Sequence, residues 1–355
     1  NPLGVTRQME LRRSTIHSVQ LLRAVAAAMV TLFHAHEFLF KRDFTAIFPG
    51  EDYFIGFGRA GVHIFFVISG FIMVMTAHSD HDYSARRFIM RRLRRIYPIY
   101  WLSAALCYAT FWFLAPQPLP VGAGDVLGAL LLWPGEAPNI IGAAWTLSFE
   151  VYFYLCFGLA MILGLNRGLL LLAAFFIGSI AAGVIVRPQG AVLAQMTNAL
   201  LLEFLAGAAV GWLAVNNRLP ERFGPMLVLI SVVLFGAGIA YGYDRLPAIV
   251  NWGPASVLLV LGVVSWERRS AANMAVRQIG KLGNSSYALY LNHQAIIFAL
   301  SITIPVGLSG LPALPIAIAI SLVCIVLGEL IHRYVENPLL NMLKAKPTLR
   351  TAAAA

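Results

Sequence analysis

The chain has 355 residues, of which 59% are hydrophobic and 12% are charged, and its formal net charge is +10. This composition is typical of an integral membrane protein and excludes an ordinary soluble domain. Its three cysteines, Cys107, Cys156 and Cys324, lie in apolar runs with the spacing of neither a zinc site nor a disulfide framework. We therefore expect them to be inert packing residues.

Ten segments are apolar over about the 20 residues that a membrane-spanning helix needs. They cover residues 16–39, 61–77, 96–115, 143–164, 168–186, 199–215, 225–243, 247–265, 284–306 and 312–334. The shorter run 126–133 is predicted to lie at the interface or to re-enter the membrane. We predict an all-α, polytopic membrane helix bundle of about ten transmembrane helices. Its domain covers residues 16–338, between a cytoplasmic N-terminal segment, 1–15, and a cytoplasmic tail, 339–355, without a cleavable signal peptide.

The distribution of Lys and Arg predicts how these spans are oriented. With the N-terminus in the cytoplasm, 20 of the 26 basic residues fall at the inner ends of the spans and 5 fall in outer loops. Cytoplasmic loops carry the excess of Lys and Arg in membrane proteins, so this division supports an even number of spans with both termini inside. The net positive charge then belongs to the inner face, and nucleic acid is not needed to explain it.

The first predicted span contains "RAVAAAMVTLFHAHEF", with Arg23 and His34 on one helix face about 16 Å apart along the axis. An ionisable group at the bilayer centre costs roughly 2.5–3.5 kcal/mol, so such residues suggest function. Snorkelling of Arg23 and a helix-packing role for His34 are the alternatives. His36 lies two residues after His34, roughly 200° around the helix, which does not suit one shared metal ion, so no metal site is predicted.

The fourth span opens with "WTLSFEVYFY", which places Glu150 at a depth similar to that of His34. A neutral imidazole can take a proton from a hydroxyl, and a carboxylate can orient it and stabilise the imidazolium. We therefore predict that His34 and Glu150 form a pair. The alternative is a structural polar clamp between two helices.

Three further motifs carry polar residues. "GRAGVHIFFVISGF" contains His63 and, near mid-membrane, the small pair Ser69-Gly70, which also suits close helix packing. "RRFIMRRLRRIYP" places four arginines, Arg87, Arg91, Arg94 and Arg95, on one helical face, where they would bind either phosphates or lipid headgroups. "GNSSYALYLNHQ" places Tyr287, Tyr290 and His293 along the ninth span, where core hydrogen bonding is the alternative. Glu203, Glu329 and Glu336 are weaker candidates, with Glu336 expected to anchor the last helix.

These motifs, in order from residue 16 to 338 and with a terminal "VENP", resemble the acyltransferase 3 family of multipass membrane acyltransferases. Among its members, the chain looks most like bacterial exopolysaccharide O-acetyltransferases. The resemblance implies transfer of an acetyl or other acyl group from cytoplasmic acyl-CoA to a glycan hydroxyl. It also matches Arg23 and His34 to the family's Arg-x10-His pair, and Arg92 and Arg95 to its R-x-x-R motif. Many relatives have an acidic residue in place of His63, so the resemblance implies a different local charge at this position.

The patterns and the resemblance together assign the following roles. Catalysis is assigned to His34, Glu150 and Arg23. Coenzyme binding is assigned to Arg87, Arg91, Arg92, Arg95, Ser69, Tyr287, Tyr290 and His293. His63 and Trp145 are assigned to the acceptor.

The expected partners follow from these roles. The donor substrate would be acetyl-CoA or another acyl-CoA, with no tightly bound cofactor, and the acceptor a glycan or a lipid-linked oligosaccharide. The protein would lie in the bacterial inner membrane, as a homo-oligomer or in a polysaccharide synthase complex. Direct transfer and a transient acyl-His34 both stay open. A succinyltransferase acting on periplasmic glucans, a sugar transporter and a noncatalytic scaffold are the other functions considered.

Overall fold

The computed structural model describes residues 16–80, 82–115, 122–241, 245–304 and 310–343. Residues 1–15 of the predicted N-terminal segment and 344–355 of the predicted tail lie outside these ranges. Within them, one helix lies at each of the ten predicted spans. In chain order they are α1 (His17–Phe40), α2 (Ala60–Ser79), α3 (Ala85–Leu114), α4 (Trp145–Ala160), α5 (Leu165–Val186), α6 (Leu201–Val215), α7 (Gly224–Tyr241), α8 (Ala248–Arg269), α9 (Ser286–Ile302) and α10 (Ala313–Ile331).

Short helices lie between the long ones or follow the last of them. They are Glu51–Gly56, Ala123–Leu130, Ala191–Met196, Met274–Gly280 and Asn337–Leu343, together with a π-helix at His332–Glu336. Single 3₁₀ turns occur at Phe57–Arg59, Ala137–Asn139, Gly142–Ala144, Met161–Leu163, Glu221–Phe223 and Lys281–Gly283. The predicted interfacial run 126–133 overlaps the eight-residue helix Ala123–Leu130, which is about 12 Å long and too short to cross a bilayer.

The polytopic bundle predicted from hydropathy is confirmed. Eight helical stretches of the described ranges are long and apolar enough to cross a membrane, judged by length and composition. The two predicted spans outside this set are α3 and α9. Helix α3 begins at Ala85 rather than at the predicted residue 96, because the arginine-rich stretch continues the same helix, and α9 has only 17 residues.

Burial distinguishes the centre of the bundle from its periphery. In the stretch that contains α2, 67% of the membrane-spanning apolar segment is buried inside the protein. In α5, only 11% of the corresponding segment is buried. Helix α5 instead exposes large apolar side chains, among them Leu170, Phe175 and Ile185. An exposed apolar surface of this kind is suited to lipid rather than to water. Helix α5 is therefore peripheral, while α1 and α2 lie among the other helices.

The helix ends are arranged as an alternating topology predicts. Gln20 at the start of α1, Ser79 at the end of α2, Val215 at the end of α6 and Arg268 at the end of α8 all line one cavity. These helix ends were all assigned to the inner face from the distribution of basic residues. The cavity therefore opens at the predicted cytoplasmic end of the bundle.

Helices α2 and α6 pack backbone against backbone at two glycines. A Cβ atom at Gly70 would collide with the carbonyl oxygen of Phe204, and one at Gly207 would collide with that of Val67. Small residues permit this close approach between membrane helices. The α2–α6 contact holds one wall of the bundle centre in place.

Substituting Gly207 by alanine should therefore force α2 and α6 apart and lower the free energy of unfolding by about 1–3 kcal/mol. The measurement is thermal unfolding of the purified protein in detergent. Gly236→Ala is the matched control, because no atom lies within 4 Å of a Cβ at that position. Equal melting temperatures for the two variants would contradict the proposed packing role.

Candidate active site

A cavity of about 100 Å³ lies inside the bundle between α1, α2, α3, α4 and α9. Its polar lining consists of Arg23, Ser69, Arg95, Thr146, Glu150, Tyr154, Ser286, Tyr287 and Tyr290. We call this space the inner cavity. Six of the residues that the motifs singled out, on five different helices, thus face one cavity.

Glu150 accepts two hydrogen bonds at this site. Its Oε1 accepts from Ser69 Oγ at 3.1 Å and from Tyr154 OH at 3.0 Å, and the two hydroxyl oxygens are themselves 3.1 Å apart. These two bonds, both to Oε1, partly offset the cost of a carboxylate at this depth. Tyr154 was missed by the sequence reasoning, although its position four residues after Glu150 puts both on one helix face.

Arg23 lies between the inner cavity and a larger one. The larger space, here called the wide cavity, has a volume of about 750 Å³ and opens at the predicted cytoplasmic end. Both cavities are lined by Arg23, Ile72 and Arg95, so these three side chains lie where the two cavities adjoin, and we call them the neck. Arg23 is 9% exposed and donates from Nη1 to Gln20 Oε1 at 3.2 Å. Its charged neighbours include Arg95, Glu150 and Glu336.

The arginines of α3 do not form the single ladder that was predicted. Arg87 bonds to Asp82 at 3.2 Å and Arg91 to Asp80 at 2.5 Å, and neither lines the two cavities. The hydrogen bond from Arg91 lowers the pKa of Asp80. Arg87 and Arg91 thus pair with nearby aspartates outside both cavities, and their contact with the coenzyme stays a prediction.

Arg92 and Arg95, the two residues that match the R-x-x-R motif, are placed differently. Arg92 donates to Thr76 Oγ1 on α2 at 2.7 Å, its guanidinium lies over the Phe88 ring, and its buried Nε lacks a partner. Arg95 lines the neck. The arginine with the best access to a ligand is thus Arg95, while Arg92 supports the wall behind it.

His34 bonds to α9 rather than to Glu150. Its Nδ1 lies 3.0 Å from the carbonyl oxygen of Val30 and 3.1 Å from Nε2 of His293. A carbonyl can only accept, so Nδ1 of His34 carries the proton. The other ring nitrogen of His293 donates to the Tyr290 carbonyl at 2.7 Å, which leaves its Nε2 free to accept. This arrangement leaves Nε2 of His34 with an available lone pair.

The predicted direct pairing of His34 with Glu150 is therefore wrong in this structure. His34 lines neither cavity, because its side chain packs toward His293, with ring centroids 5.0 Å apart. The ring of Tyr290, which does line the inner cavity, is 5.8 Å from that of His293. His34 and the inner cavity are thus joined through His293 and Tyr290.

The two tyrosines of α9 are at the cavity but also belong to the core. Tyr287 OH donates to the Ile96 carbonyl at 3.1 Å, and Tyr290 OH contacts the Ala143 carbonyl at 3.1 Å and Thr146 Oγ1 at 2.9 Å. Core hydrogen bonding, the alternative to coenzyme binding, therefore applies to both hydroxyls. Their rings supply part of the cavity wall.

The two residues assigned to the acceptor lie outside both cavities. His63 is buried, with Nδ1 2.5 Å from Glu203 Oε1, and Glu203 is 2% exposed. Trp145 is 36% exposed and packs on Phe66 and Phe149. Neither side chain contacts the other residues assigned from the sequence. His63 instead points toward α6. Glu203 was a weaker candidate from the sequence, and its pairing with His63 is known only from the structure.

Removing one member of the His63–Glu203 pair should destabilise the fold. Glu203→Ala leaves the imidazole buried without a partner and is expected to lower the free energy of unfolding by about 3–5 kcal/mol. The double variant His63→Phe/Glu203→Leu should recover most of that loss in thermal unfolding. If His63→Phe alone kept the melting temperature and reduced acyl transfer, the predicted acceptor role of His63 would hold instead.

The remaining polar groups do not indicate a metal site. His36 bonds to Glu51 Oε1 at 2.7 Å, and both are buried. No group of three or more His, Cys, Asp and Glu side chains suited to a metal ion occurs within the described ranges.

Comparison with known proteins identifies the family. The acyltransferase 3 family model, described as an acyltransferase domain, matches residues 16–330. With a bundle of membrane-spanning helices around a cavity that holds Arg23, Ser69 and Glu150, the chain belongs to this family of multipass membrane acyltransferases.

Three curated relatives give the particular similarities. The chain is 33% identical over 305 residues to the exopolysaccharide production protein ExoZ of Rhizobium meliloti, covering 81% of this chain and 92% of that protein. It is 28% identical to the acyltransferase MdmB of Streptomyces mycarofaciens, covering 83% and 84%. It is 23% identical to the peptidoglycan O-acetyltransferase OatA of Listeria monocytogenes, covering 94% of this chain and 57% of that protein. No solved structure matches the chain.

Proposed function

We propose that this protein is a membrane-bound O-acyltransferase that moves an acetyl or other short acyl group from acyl-CoA to a hydroxyl of an exopolysaccharide sugar. The similarity to ExoZ supports the acceptor class. The observation that carries the proposal is the neck of Arg23, Ile72 and Arg95, which borders both the wide cavity and the inner cavity with its partly buried carboxylate, Glu150.

The two cavities suit the two ends of a long anionic thioester. The wide cavity, at about 750 Å³, is within the usual range for ligand pockets and holds the bulky nucleotide. The guanidinium groups of Arg23 and Arg95 interact with its phosphates or with the polar arm as it enters the neck. The thioester end then reaches the inner cavity beside Ser69 and Glu150. In the cell the wide cavity would face the cytoplasm, since it opens at the basic end of the bundle.

His34 is proposed as the general base. Its Nε2 takes the proton of the acceptor hydroxyl while the hydroxyl oxygen attacks the thioester carbonyl carbon. The carbon–sulfur bond breaks, and the leaving thiolate receives the proton from the imidazolium. His293 holds His34 in the tautomer that leaves Nε2 free. Because Tyr290 separates His293 from the inner cavity, the acyl group and the acceptor can meet at His34 only if this ring moves.

The test is a donor-cleavage assay with the purified full-length protein in lipid nanodiscs. We expect incubation with acetyl-CoA and exopolysaccharide to release free thiol and to acetylate the polysaccharide, as read by mass spectrometry. Arg95→Gln should slow both, since it removes a cation from the neck. A protein that binds or moves the glycan but never releases thiol would be a carrier, and the proposal would fail.

A further inference from the structure

A third arginine, which lies outside the α3 motif, lines the wide cavity. Arg268, at the end of α8, contributes to the wide cavity but not to the inner cavity. Its side chain is 19% exposed. It lies 173 positions after Arg95, and no motif of the sequence singled it out.

The guanidinium of Arg268 is held in place by protein contacts that involve only some of its N–H donors. It bonds to the side-chain oxygen of Asn217, and its Nε lies 3.8 Å from Glu221 Oε1. Asn217 has a φ of +55°, a left-handed conformation that asparagine tolerates better than most residues, and it lines the same cavity. A guanidinium has five N–H donors, so most of them stay available to a ligand.

The neighbouring residue fixes Arg268 relative to α1. The Glu267 carboxylate accepts from the backbone N–H of His17 at 2.9 Å and from that of Ser18 at 2.7 Å, which caps the start of α1. Helix α1 supplies Gln20 and Arg23 to the wide cavity. The end of α8 is therefore tied to the element that carries the neck arginine, and the two guanidiniums face one volume from different helices.

The charges of the wide cavity favour an anion. Arg23, Arg95 and Arg268 line it, and Glu336, its lining carboxylate, bonds to His332 at 2.7 Å. A donor that reaches the inner cavity with its thioester leaves its nucleotide in the wide cavity, on the side where Arg268 lies. We propose that Arg268 binds a phosphate at the nucleotide end of the acyl-CoA donor. This inference rests on the proposed function, because it assumes that donor.

The test compares two adjacent arginines. Arg269 also ends α8 but is exposed and does not line the cavity, so Arg269→Gln removes the same charge from nearly the same place. Coenzyme A binding to the full-length protein in nanodiscs should be weakened about tenfold or more by Arg268→Gln and less than about twofold by Arg269→Gln. Arg268→Lys, which keeps the charge but loses the planar fork, should fall between them.

A second probe, 3′-dephospho-coenzyme A, identifies the phosphate. If Arg268→Gln weakens only coenzyme A, Arg268 binds the 3′-phosphate; if it weakens both ligands equally, Arg268 binds the diphosphate. Equal affinities of Arg268→Gln and the wild type, with unchanged melting temperatures, would overturn the inference and leave the proposed function intact. A wild-type protein that does not bind coenzyme A at all would overturn both.

Discussion

Replacing His34 by alanine should lower acyl transfer by about 10²–10⁴-fold, the usual contribution of a general base, while the helix bundle stays folded. The available Nε2 disappears with the side chain, and no other imidazole among the described residues bonds to His293. The lost hydrogen bond to His293 should reduce the free energy of unfolding by only about 1 kcal/mol. Thiol release with acetyl-CoA and polysaccharide, together with thermal unfolding, measures both effects.

A second histidine of α1 serves as the control. His17 lies at the other end of the helix, and its contact with Glu267 uses the backbone N–H, which His17→Ala leaves in place. We expect this variant to retain activity. Normal transfer by a folded His34→Ala protein would remove His34 from the mechanism.

Glu150→Gln should reduce transfer by about 10²-fold or more at nearly unchanged stability. The amide oxygen can still accept from Ser69 and Tyr154, so the hydrogen-bonded geometry of the inner cavity is largely kept. What is lost is a negative charge close to Arg23, and electrostatic groups fixed at a reaction site contribute effects of about this size. Steady-state thiol release and thermal unfolding are the measurements.

Glu329→Gln provides the matched comparison for that substitution. Glu329 lies on α10, is partly exposed and bonds to Arg333 at 3.2 Å, away from the inner cavity. Its substitution should leave transfer unchanged. If Glu150→Gln behaved in the same way, the carboxylate would be the structural clamp that the sequence left as an alternative.

The sequence predicted the helices well because their signal is local. Hydropathy over about 20 residues is a property of each segment by itself, so all ten helices lie where the apolar runs are. The predicted and observed helix bounds differ where a helix continues beyond its apolar segment. Helix α3 continues through Pro98 and the arginines before it, since charged residues end a hydropathic segment without ending a helix.

Arg23, Ser69, Arg95 and Glu150, which the sequence singled out, lie around one cavity, and their roles there stay predictions. Motif and depth could place these residues in the membrane, because an ionisable side chain in an apolar segment is conspicuous. Arg268 and Tyr154 were not found, since an arginine at a helix end and a tyrosine in an aromatic helix are both ordinary.

What the sequence by itself determined is the set of spans, their alternation and the polar residues that they carry. Only the tertiary structure decided the partners: His293 rather than Glu150 for His34, Glu203 for His63, and aspartates for Arg87 and Arg91. The physical reason is that depth in the membrane follows from position along one helix. The neighbour at that depth depends instead on how helices far apart in sequence rotate and pack against each other.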